Sequence, residues 1–229
     1  ASFSKNNFLR ESLEDHFNDV FYNDTGNVLS GAELIRFVGD AEAVIVGLDE
    51  FSEDVVKSCS KLKLIAKYGV GLDNIDFAAC NDSAVSVFSS PGVNKRAVAE
   101  MVIGFSISLL RNLYIASLSL KQGSWVKNGG RQLSGSTVGI IGFGHVGQEL
   151  ASLLKGFDCR VIANDILDLS EEANALGVEV VSKDYLYSES DVISLHVPLD
   201  LDTNNMITIK EMTLMKKSVL LINTARGGI

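Results

Sequence analysis

The strongest constraint on the fold is a regular alternation of short apolar runs with helix-like segments along the chain. Each run is four or five residues long and rich in Val, Ile and Leu, which is typical of parallel strands covered on both faces. The helical segments between them supply the crossover connections that parallel strands need. We therefore predict strands at 43–47, 62–66, 84–88, 138–142, 160–163, 178–181, 192–195 and 219–222.

The alternation falls into two series, separated by a break that contains Pro91 and Gly92. A chain of 229 residues has room for two α/β domains. We predict an α/β protein with two doubly wound parallel-sheet domains, 1–92 and 93–229. The first series opens on an amphipathic helix at 6–20, so a strand is expected upstream of residue 1.

The longest helical pattern starts at residue 94 and continues to about residue 121. At 1.5 Å per residue it predicts a single helix of about 40 Å. A helix this long and apolar is expected to be buried between two domains or two subunits. The apolar side chains that recur at helical spacing are Val98, Met101, Val102, Phe105 and Leu109.

Composition and charge exclude several classes of partner. Twenty basic against 29 acidic residues give a formal charge of −9, which disfavours nonspecific nucleic-acid and anionic-membrane surfaces. The apolar stretch 101–110 is too short for a membrane span. Cys59, Cys80 and Cys159 lack the spacing of a zinc site or disulfide framework and indicate a reducing, cytoplasmic setting. We expect small-molecule partners, no nucleic acid, no membrane and no metal.

A glycine motif provides the clearest functional signal. Gly142, Gly144 and Gly147 follow a predicted strand and open a predicted helix, and Asp165 closes the next strand. This context is typical of dinucleotide binding, with a tight turn, close approach to the pyrophosphate, and close helix packing at the three glycines. Asp165 would accept ribose hydroxyl protons and repel a 2′-phosphate, which predicts NAD in preference to NADP. The alternative is a set of turn glycines without a ligand.

Two further positions are candidates for binding an anion. Arg226 lies in the segment 223–228, immediately past the run 219–222, where ligands of open α/β sheets bind. Its guanidinium suits a carboxylate or a carbonyl oxygen that gains charge. Gly69 and Gly71 follow an apolar run and free backbone N–H groups for an anion. The alternatives are a solvated surface arginine and an ordinary strand-to-helix turn.

The three histidines have different expected roles. His16 is predicted to lie on the surface of the first helix. His145 is placed at the positive end of a helix, which disfavours the imidazolium and favours a binding contact over proton transfer. His196 ends a predicted strand, where it would serve as a base or, as we favour, position the following loop.

Five motifs occur together and in order, and together they resemble the D-isomer-specific 2-hydroxyacid dehydrogenase family. The resemblance is closest to its phosphoglycerate dehydrogenase branch and extends from about residue 44 to residue 229. The motifs are the glycine motif with Asp165, the loop 68–76, the segment 91–94 leading into 97–101, the segment 195–199 with Thr203, and the segment 223–227.

The resemblance implies a flavodoxin-like outer substrate domain at 1–92 and a Rossmann NAD domain at 93–229. It implies that Arg226 is the catalytic arginine that holds and polarises a 2-oxo acid. Val70 and Gly71 would offer N–H groups to the substrate carboxylate. The implied cofactor-binding residues are Gly142, Gly144, His145, Val146, Gly147, Asp165, His196, Pro198, Thr203, Thr224, Ala225 and Arg226.

In the family, a His takes the hydroxyl proton and a neighbouring Glu tunes that His, and both lie downstream of the arginine motif. We therefore expect both domains to be truncated here, without the first strand, the C-terminal return helix and this acid–base pair. The predicted function is an NAD-dependent oxidoreductase acting on a D-2-hydroxy acid, with 3-phosphoglycerate of serine biosynthesis as a candidate substrate. The alternative is an NAD-sensing, corepressor-like binding protein. A homodimer through the second domain is expected.

Overall fold

The computed structural model describes residues 3–127 and 129–229, which form two compact units, Ala1–Val93 and Asn94–Ile229. Both units are parallel α/β structures, so the predicted fold class is confirmed. Each of the eight predicted strands is present, with ends that differ by at most two residues from the prediction.

The first unit is built on a three-stranded parallel sheet with the order β1-β2-β3. Helices α3 and α4 are the crossovers, and their apolar side chains pack with those of the sheet into one core that includes Val55, Ile65 and Ala79. The elements are α1 (Asn7–Glu14), α2 (Gly31–Val38), β1 (Ala43–Val46), α3 (Glu53–Ser58), β2 (Leu64–Lys67), α4 (Phe77–Asp82) and β3 (Ser86–Phe88).

Helix α1 is shorter than the sequence predicts, since it ends at Glu14 and not near residue 20. Asn18 and Asp19, in the predicted second half, hydrogen-bond readily to nearby backbone and favour turns over helix. No residue of α1 is buried, so packing does not offset this preference.

The second unit is built on a five-stranded parallel sheet with the order β6-β5-β4-β7-β8. Its largest core includes Ile140 on β4, Leu150 on α7 and Val192 on β7. The elements are α5 (Lys95–Leu110), α6 (Leu113–Lys121), β4 (Thr137–Ile141), α7 (His145–Leu154), β5 (Arg160–Asn164), α8 (Ser170–Leu176), β6 (Glu179–Val180), α9 (Lys183–Glu189), β7 (Val192–Leu195), α10 (Ile209–Leu214) and β8 (Leu220–Asn223).

The predicted long helix is in fact two helices, α5 and α6, whose axes differ by 63°. The break falls at Asn112, whose φ of +53° is left-handed and ends α-helical continuity. The predicted apolar face is also divided, because Val102 is buried whereas Met101 and Phe105 are exposed. Helix α6 has no buried residue, although most of its side chains are apolar.

An ionic cluster joins the amino ends of the central strands of the second unit. Asp191, just before β7, accepts a hydrogen bond from the Thr137 N–H at 2.9 Å. Its other oxygen lies 3.1 Å from the Lys216 ammonium and 3.7 Å from the Arg131 guanidinium. Burial alone would raise the pKa of Asp191, but these donors and cations hold it below its usual value.

Within residues 3–127 and 129–229, no helix taken singly has the length and apolar character to cross a membrane. Helices α5 and α6 meet that test only as a bent pair. The same ranges contain no cluster of three or more His, Cys, Asp or Glu side chains suited to a metal ion. Cys59, Cys80 and Cys159 are free thiols, and burial raises the pKa of each.

Candidate functional site

The predicted site residues of the second unit lie at the carboxyl ends of four neighbouring parallel strands. Gly142 follows β4, Asp165 follows β5, His196 follows β7 and Thr224 follows β8. The chain winds from β4 towards β5 and β6 on one side, and β7 and β8 lie on the other. This strand order creates a switch point beside β4, which is where open α/β sheets bind ligands.

The glycine turn leaves no room for side chains at two of its positions. Gly142 has a φ of +91°, and a Cβ there would lie 2.7 Å from the carbonyl carbon and oxygen of His196. A Cβ at Gly147 would lie 2.4 Å from the Gly142 oxygen. At Gly144 the space is open instead, with no atom within 4 Å of a Cβ position. Open space at the amino end of α7 fits a pyrophosphate, which backbone N–H groups and the helix dipole would stabilise.

Asp165 is anchored by two backbone donors at the end of β5. Its Oδ2 accepts from the Phe143 N–H at 2.6 Å and its Oδ1 accepts from the Leu167 N–H at 2.9 Å. The carboxylate is half-buried. It adjoins a small, mostly apolar cavity lined by Phe143, Ala163, Leu167, Leu169 and Val180. A carboxylate at the end of this strand suits the hydroxyl groups of a ribose.

The remaining glycine-motif residues lie at the start of α7. His145 is the first residue of the helix and is exposed, and Val146 is half-buried. Their backbone N–H groups belong to the first helical turn, whose donors lack intrahelical partners. The binding role of both residues stays a prediction, which this placement allows.

His196 is held on both its backbone and its ring. Its N–H donates to the Ile141 oxygen at 2.7 Å, and its Nε2 lies 2.8 Å from the hydroxyl of the fully buried Ser194. Burial lowers the pKa of His196 to about 4. A neutral ring held by a buried hydroxyl favours the loop-positioning role over that of a base.

The half-buried His196 predicts an acid-dependent loss of stability. A histidine in the unfolded chain titrates near pH 6.5, whereas the folded ring stays neutral well below that pH. Above pH 6.5 His196 therefore costs the fold nothing, and below it the free energy of unfolding falls because only the unfolded chain gains a proton. The loss should reach about 3 kcal/mol by pH 4, where the folded ring also titrates. Urea unfolding followed by circular dichroism should show this component in wild type and lose it in His196→Gln. The exposed His16→Gln variant should retain it, and an unchanged pH profile in His196→Gln would contradict the assignment.

Pro198 and Thr203 belong to a loop that closes on itself after β7. The Thr203 hydroxyl donates to the Pro198 oxygen at 2.5 Å, and the Asp200 N–H donates to that hydroxyl at 2.9 Å. Pro198 is exposed, and it follows β7, one of the strands beside the switch point. In this structure the Thr203 hydroxyl therefore orders the loop.

The arginine segment is organised by an asparagine that the sequence analysis missed. Asn223 Oδ1 accepts from the Ala225 N–H at 2.9 Å, and Nδ2 donates to the Arg226 oxygen at 2.7 Å. The Arg226 guanidinium donates to the Ala225 oxygen at 2.9 Å. The Thr224 hydroxyl oxygen is buried and has no hydrogen-bond partner among the described residues. An orphaned hydroxyl beside Arg226 fits a site completed by a ligand.

Gln148 and Asn94 are two further polar residues absent from the predicted site. Gln148 donates from its side chain to the Phe143 oxygen at 3.0 Å. The Asn94 side-chain oxygen is buried without a partner in the described part of the chain. Gln148 directly follows the last motif glycine, and Asn94 ends the segment 91–94. Adjacency to a recognised motif is the signal that would have identified both.

The predicted carboxylate-binding loop of the first unit follows β2. Val70 and Gly71 are half-buried, and Gly69 has a φ of +122° that suits glycine. The Lys67 ammonium donates to the Gly47 oxygen and to Asn74 Oδ1, each at 2.6 Å. These bonds tie both ends of the loop to the end of β1.

Comparisons with known proteins agree with this geometry. Residues 103–229 match the family model described as "D-isomer specific 2-hydroxyacid dehydrogenase, NAD binding domain". Hydroxypyruvate reductase of Thermotoga maritima is 37% identical over 207 residues, and D-3-phosphoglycerate dehydrogenase of Methanocaldococcus jannaschii is 36% identical over 205 residues. The structure of Aquifex aeolicus D-lactate dehydrogenase, complexed with NAD and lactic acid, matches with a TM-score of 0.82 at 31% identity.

The matches cover most of this chain but less of the related proteins. They span 89%, 88% and 96% of the chain, but 67%, 39% and 66% of the three proteins, respectively. The matched domain is an NAD-binding domain, so the cofactor is NAD. Because the family model matches more than half of the chain, the chain belongs to the D-isomer-specific 2-hydroxyacid dehydrogenase family.

Proposed function

We propose that this protein is an NAD-dependent oxidoreductase that acts on C2 of a D-2-hydroxy acid or the matching 2-oxo acid. The observation that carries the proposal is the placement of the glycine turn, Asp165 and Arg226 at one edge of one sheet. The substrate 3-phosphoglycerate is one candidate, since relatives include D-3-phosphoglycerate dehydrogenases. Hydroxypyruvate and glyoxylate reductases are equally related, so a panel of acids has to be tested.

Each residue type suits its proposed task. NAD, when bound, accepts or donates the hydride. Arg226 would donate to the substrate carboxylate or to the carbonyl oxygen as it gains negative charge. In the first unit, the Val70 and Gly71 N–H groups would bind the carboxylate in the loop that Lys67 and Asn74 hold in place.

The cofactor assignment uses both direct contacts and positioning residues. Gly144 and the α7 amino end would receive the pyrophosphate, and Asp165 would bind the adenosine ribose. His196 and Thr203 would position the loop after β7. The residues proposed to line the cofactor otherwise are Gly142, Gly147, His145, Val146, Pro198, Thr224, Ala225 and Arg226.

The decisive experiment is turnover by the full-length protein. We expect NADH oxidation, followed by absorbance, with at least one acid from a panel of hydroxypyruvate, glyoxylate, pyruvate and 3-phosphohydroxypyruvate. NADPH should be a much poorer reductant because Asp165 repels a 2′-phosphate. NADH binding without turnover of any 2-oxo acid would contradict the enzyme assignment.

That outcome would instead support the alternative, an NAD-sensing protein of the corepressor type. The relatives do not favour this alternative, since their names are those of reductases and dehydrogenases. We place the protein in a reducing compartment such as the cytoplasm, and the three free thiols support this location.

We also propose that the protein is a homodimer through α5 and α6. Large apolar side chains are exposed along both helices, and such surfaces usually mark interaction sites. Helix α6 contributes no side chain to the core, so folding of the unit does not explain its apolar character. The exposed residues include Met101, Phe105, Leu109, Leu113, Tyr114, Ile115, Leu118 and Leu120.

The dimer predicts a specific effect of Ile115→Lys. Ile115 is 53% exposed, so a lysine there should leave the fold intact but place a charge in the interface. Light scattering should give a dimer mass for wild type and a monomer mass for Ile115→Lys. Leu201→Lys, at an exposed position far along the sequence from these helices, should remain dimeric. A monomeric wild type would contradict the proposal.

A further inference from the structure

The residue between the first two motif glycines is held in an unusual way for a loop. The Phe143 side chain is buried, and both of its peptide groups have side-chain partners. Its N–H donates to Asp165 Oδ2 at 2.6 Å, from the end of β5. Its oxygen accepts from Gln148 Nε2 at 3.0 Å, from α7. The backbone orientation at this point is therefore determined by two side chains from two different elements.

Gln148 contacts the turn through its backbone as well. Its N–H donates to the Gly144 oxygen at 3.0 Å while its amide holds the Phe143 oxygen. A trans peptide points its N–H opposite to its C=O, so the Gly144 and His145 N–H groups point away from the groups that bind these two oxygens. The space at the Gly144 Cβ position is open. An oxygen facing that space would repel a phosphate, so the orientation of these two peptides matters for anion binding.

Asp165 also binds backbone groups of the protein, in addition to its proposed contact with a ribose. Each carboxylate oxygen accepts a backbone N–H, one from Phe143 and one from Leu167. An asparagine amide offers a single oxygen, so its NH₂ group would face one of these two donors. A neutral side chain at position 165 would therefore disturb the turn as well as remove the charge.

We propose that Gln148 and Asp165 form a clamp on the Phe143 peptide that orders the pyrophosphate-binding turn. Discrimination against a 2′-phosphate and order of the turn then depend on the same carboxylate. Gln148 acts as a positioning residue, because its side chain binds the Phe143 oxygen and so holds the turn. The proposal rests on NAD binding at this turn and deepens that assignment.

The first test is Gln148→Met, which removes the donor and retains the length and helix propensity of the side chain. We expect NADH and ADP-ribose, which both contain the pyrophosphate, to bind on the order of 3- to 10-fold more weakly, as loss of one neutral hydrogen bond predicts. Adenosine, which has no phosphate, should bind with unchanged affinity. Calorimetry and ligand-observed NMR measure these constants without turnover.

The matched control is Glu149→Gln, one residue further along α7. The Glu149 side chain pairs with Lys95 and Arg96, so its neutralisation should lower thermal stability and leave NADH affinity unchanged. Equal weakening of all three ligands in Gln148→Met, or unchanged NADH affinity, would overturn the clamp. A wild-type protein that binds no NADH would instead contradict the cofactor assignment.

A second test uses Asp165→Asn without relying on catalysis. We expect faster amide hydrogen exchange at Phe143 in the ligand-free variant, weaker NADH binding, and no gain in NADPH affinity. If Asp165 served only to bind the ribose, its replacement would leave the exchange rate at Phe143 unchanged and would allow NADPH to bind. An Asp165→Asn protein that bound NADPH as tightly as wild type binds NADH would overturn the proposal.

Discussion

Gly147→Ala is expected to abolish measurable NADH binding and to lower the free energy of unfolding of the second unit by about 2–3 kcal/mol. The added Cβ would lie 2.4 Å from the Gly142 oxygen and 3.1 Å from Ile140 Cγ2. One of these atoms belongs to the backbone of the turn and the other to the buried core, so neither moves freely. Calorimetric titration with NADH and urea unfolding followed by circular dichroism measure the two effects.

Gly156→Ala provides the control for this substitution. Nothing lies within 4 Å of a Cβ at Gly156, so the variant should keep both stability and NADH affinity. If Gly147→Ala retained wild-type NADH affinity, the amino end of α7 would not be the pyrophosphate site.

Arg226→Ala is expected to lower kcat/KM of the full-length protein for its best 2-oxo acid by about 10²- to 10³-fold. Arg226 lies three residues after the end of β8, and Asn223 holds the Ala225 N–H and the Arg226 oxygen. Arg226→Lys should recover only part of the loss, because an ammonium cannot offer two parallel donors. Steady-state kinetics with NADH held at saturation measure the effect.

Arg96→Ala is the matched control for charge. Arg96 is an exposed arginine of the same unit that pairs with Glu149, so its removal should change kcat/KM little. An Arg226→Ala enzyme with unchanged turnover of every acid in the panel would remove Arg226 from the proposed mechanism.

The strands and the glycine turn were predictable because their physical causes are local in the sequence. Buried parallel strands need uninterrupted apolar runs, and the turn at Gly142 needs glycine for its positive φ. Asp165 was predictable from its spacing alone, since the end of the next strand adjoins the turn.

Other features depend on contacts that a single sequence does not reveal. The break between α5 and α6 rests on one left-handed residue, Asn112, inside an otherwise continuous apolar pattern. The roles of Gln148 and Asn223 arise from side-chain bonds to backbone groups in turns, and such bonds leave no periodic signal. Arg226 could be placed at a strand end, but its organisation by Asn223 required the structure.

The ionic cluster around Asp191 lies at the amino ends of β4 and β7, whereas the proposed ligand contacts of this unit lie at the opposite edge of the sheet, after the carboxyl ends of β4, β5, β7 and β8. The two edges are separated by the length of the strands, so substitutions at one edge share no partner with those at the other. Substitutions can therefore change the thermal stability of this unit without changing its ligand preference, and the reverse. A lineage that adapts to heat or salt through Asp191, Lys216 and Arg131 would leave the chemistry at the far edge untouched.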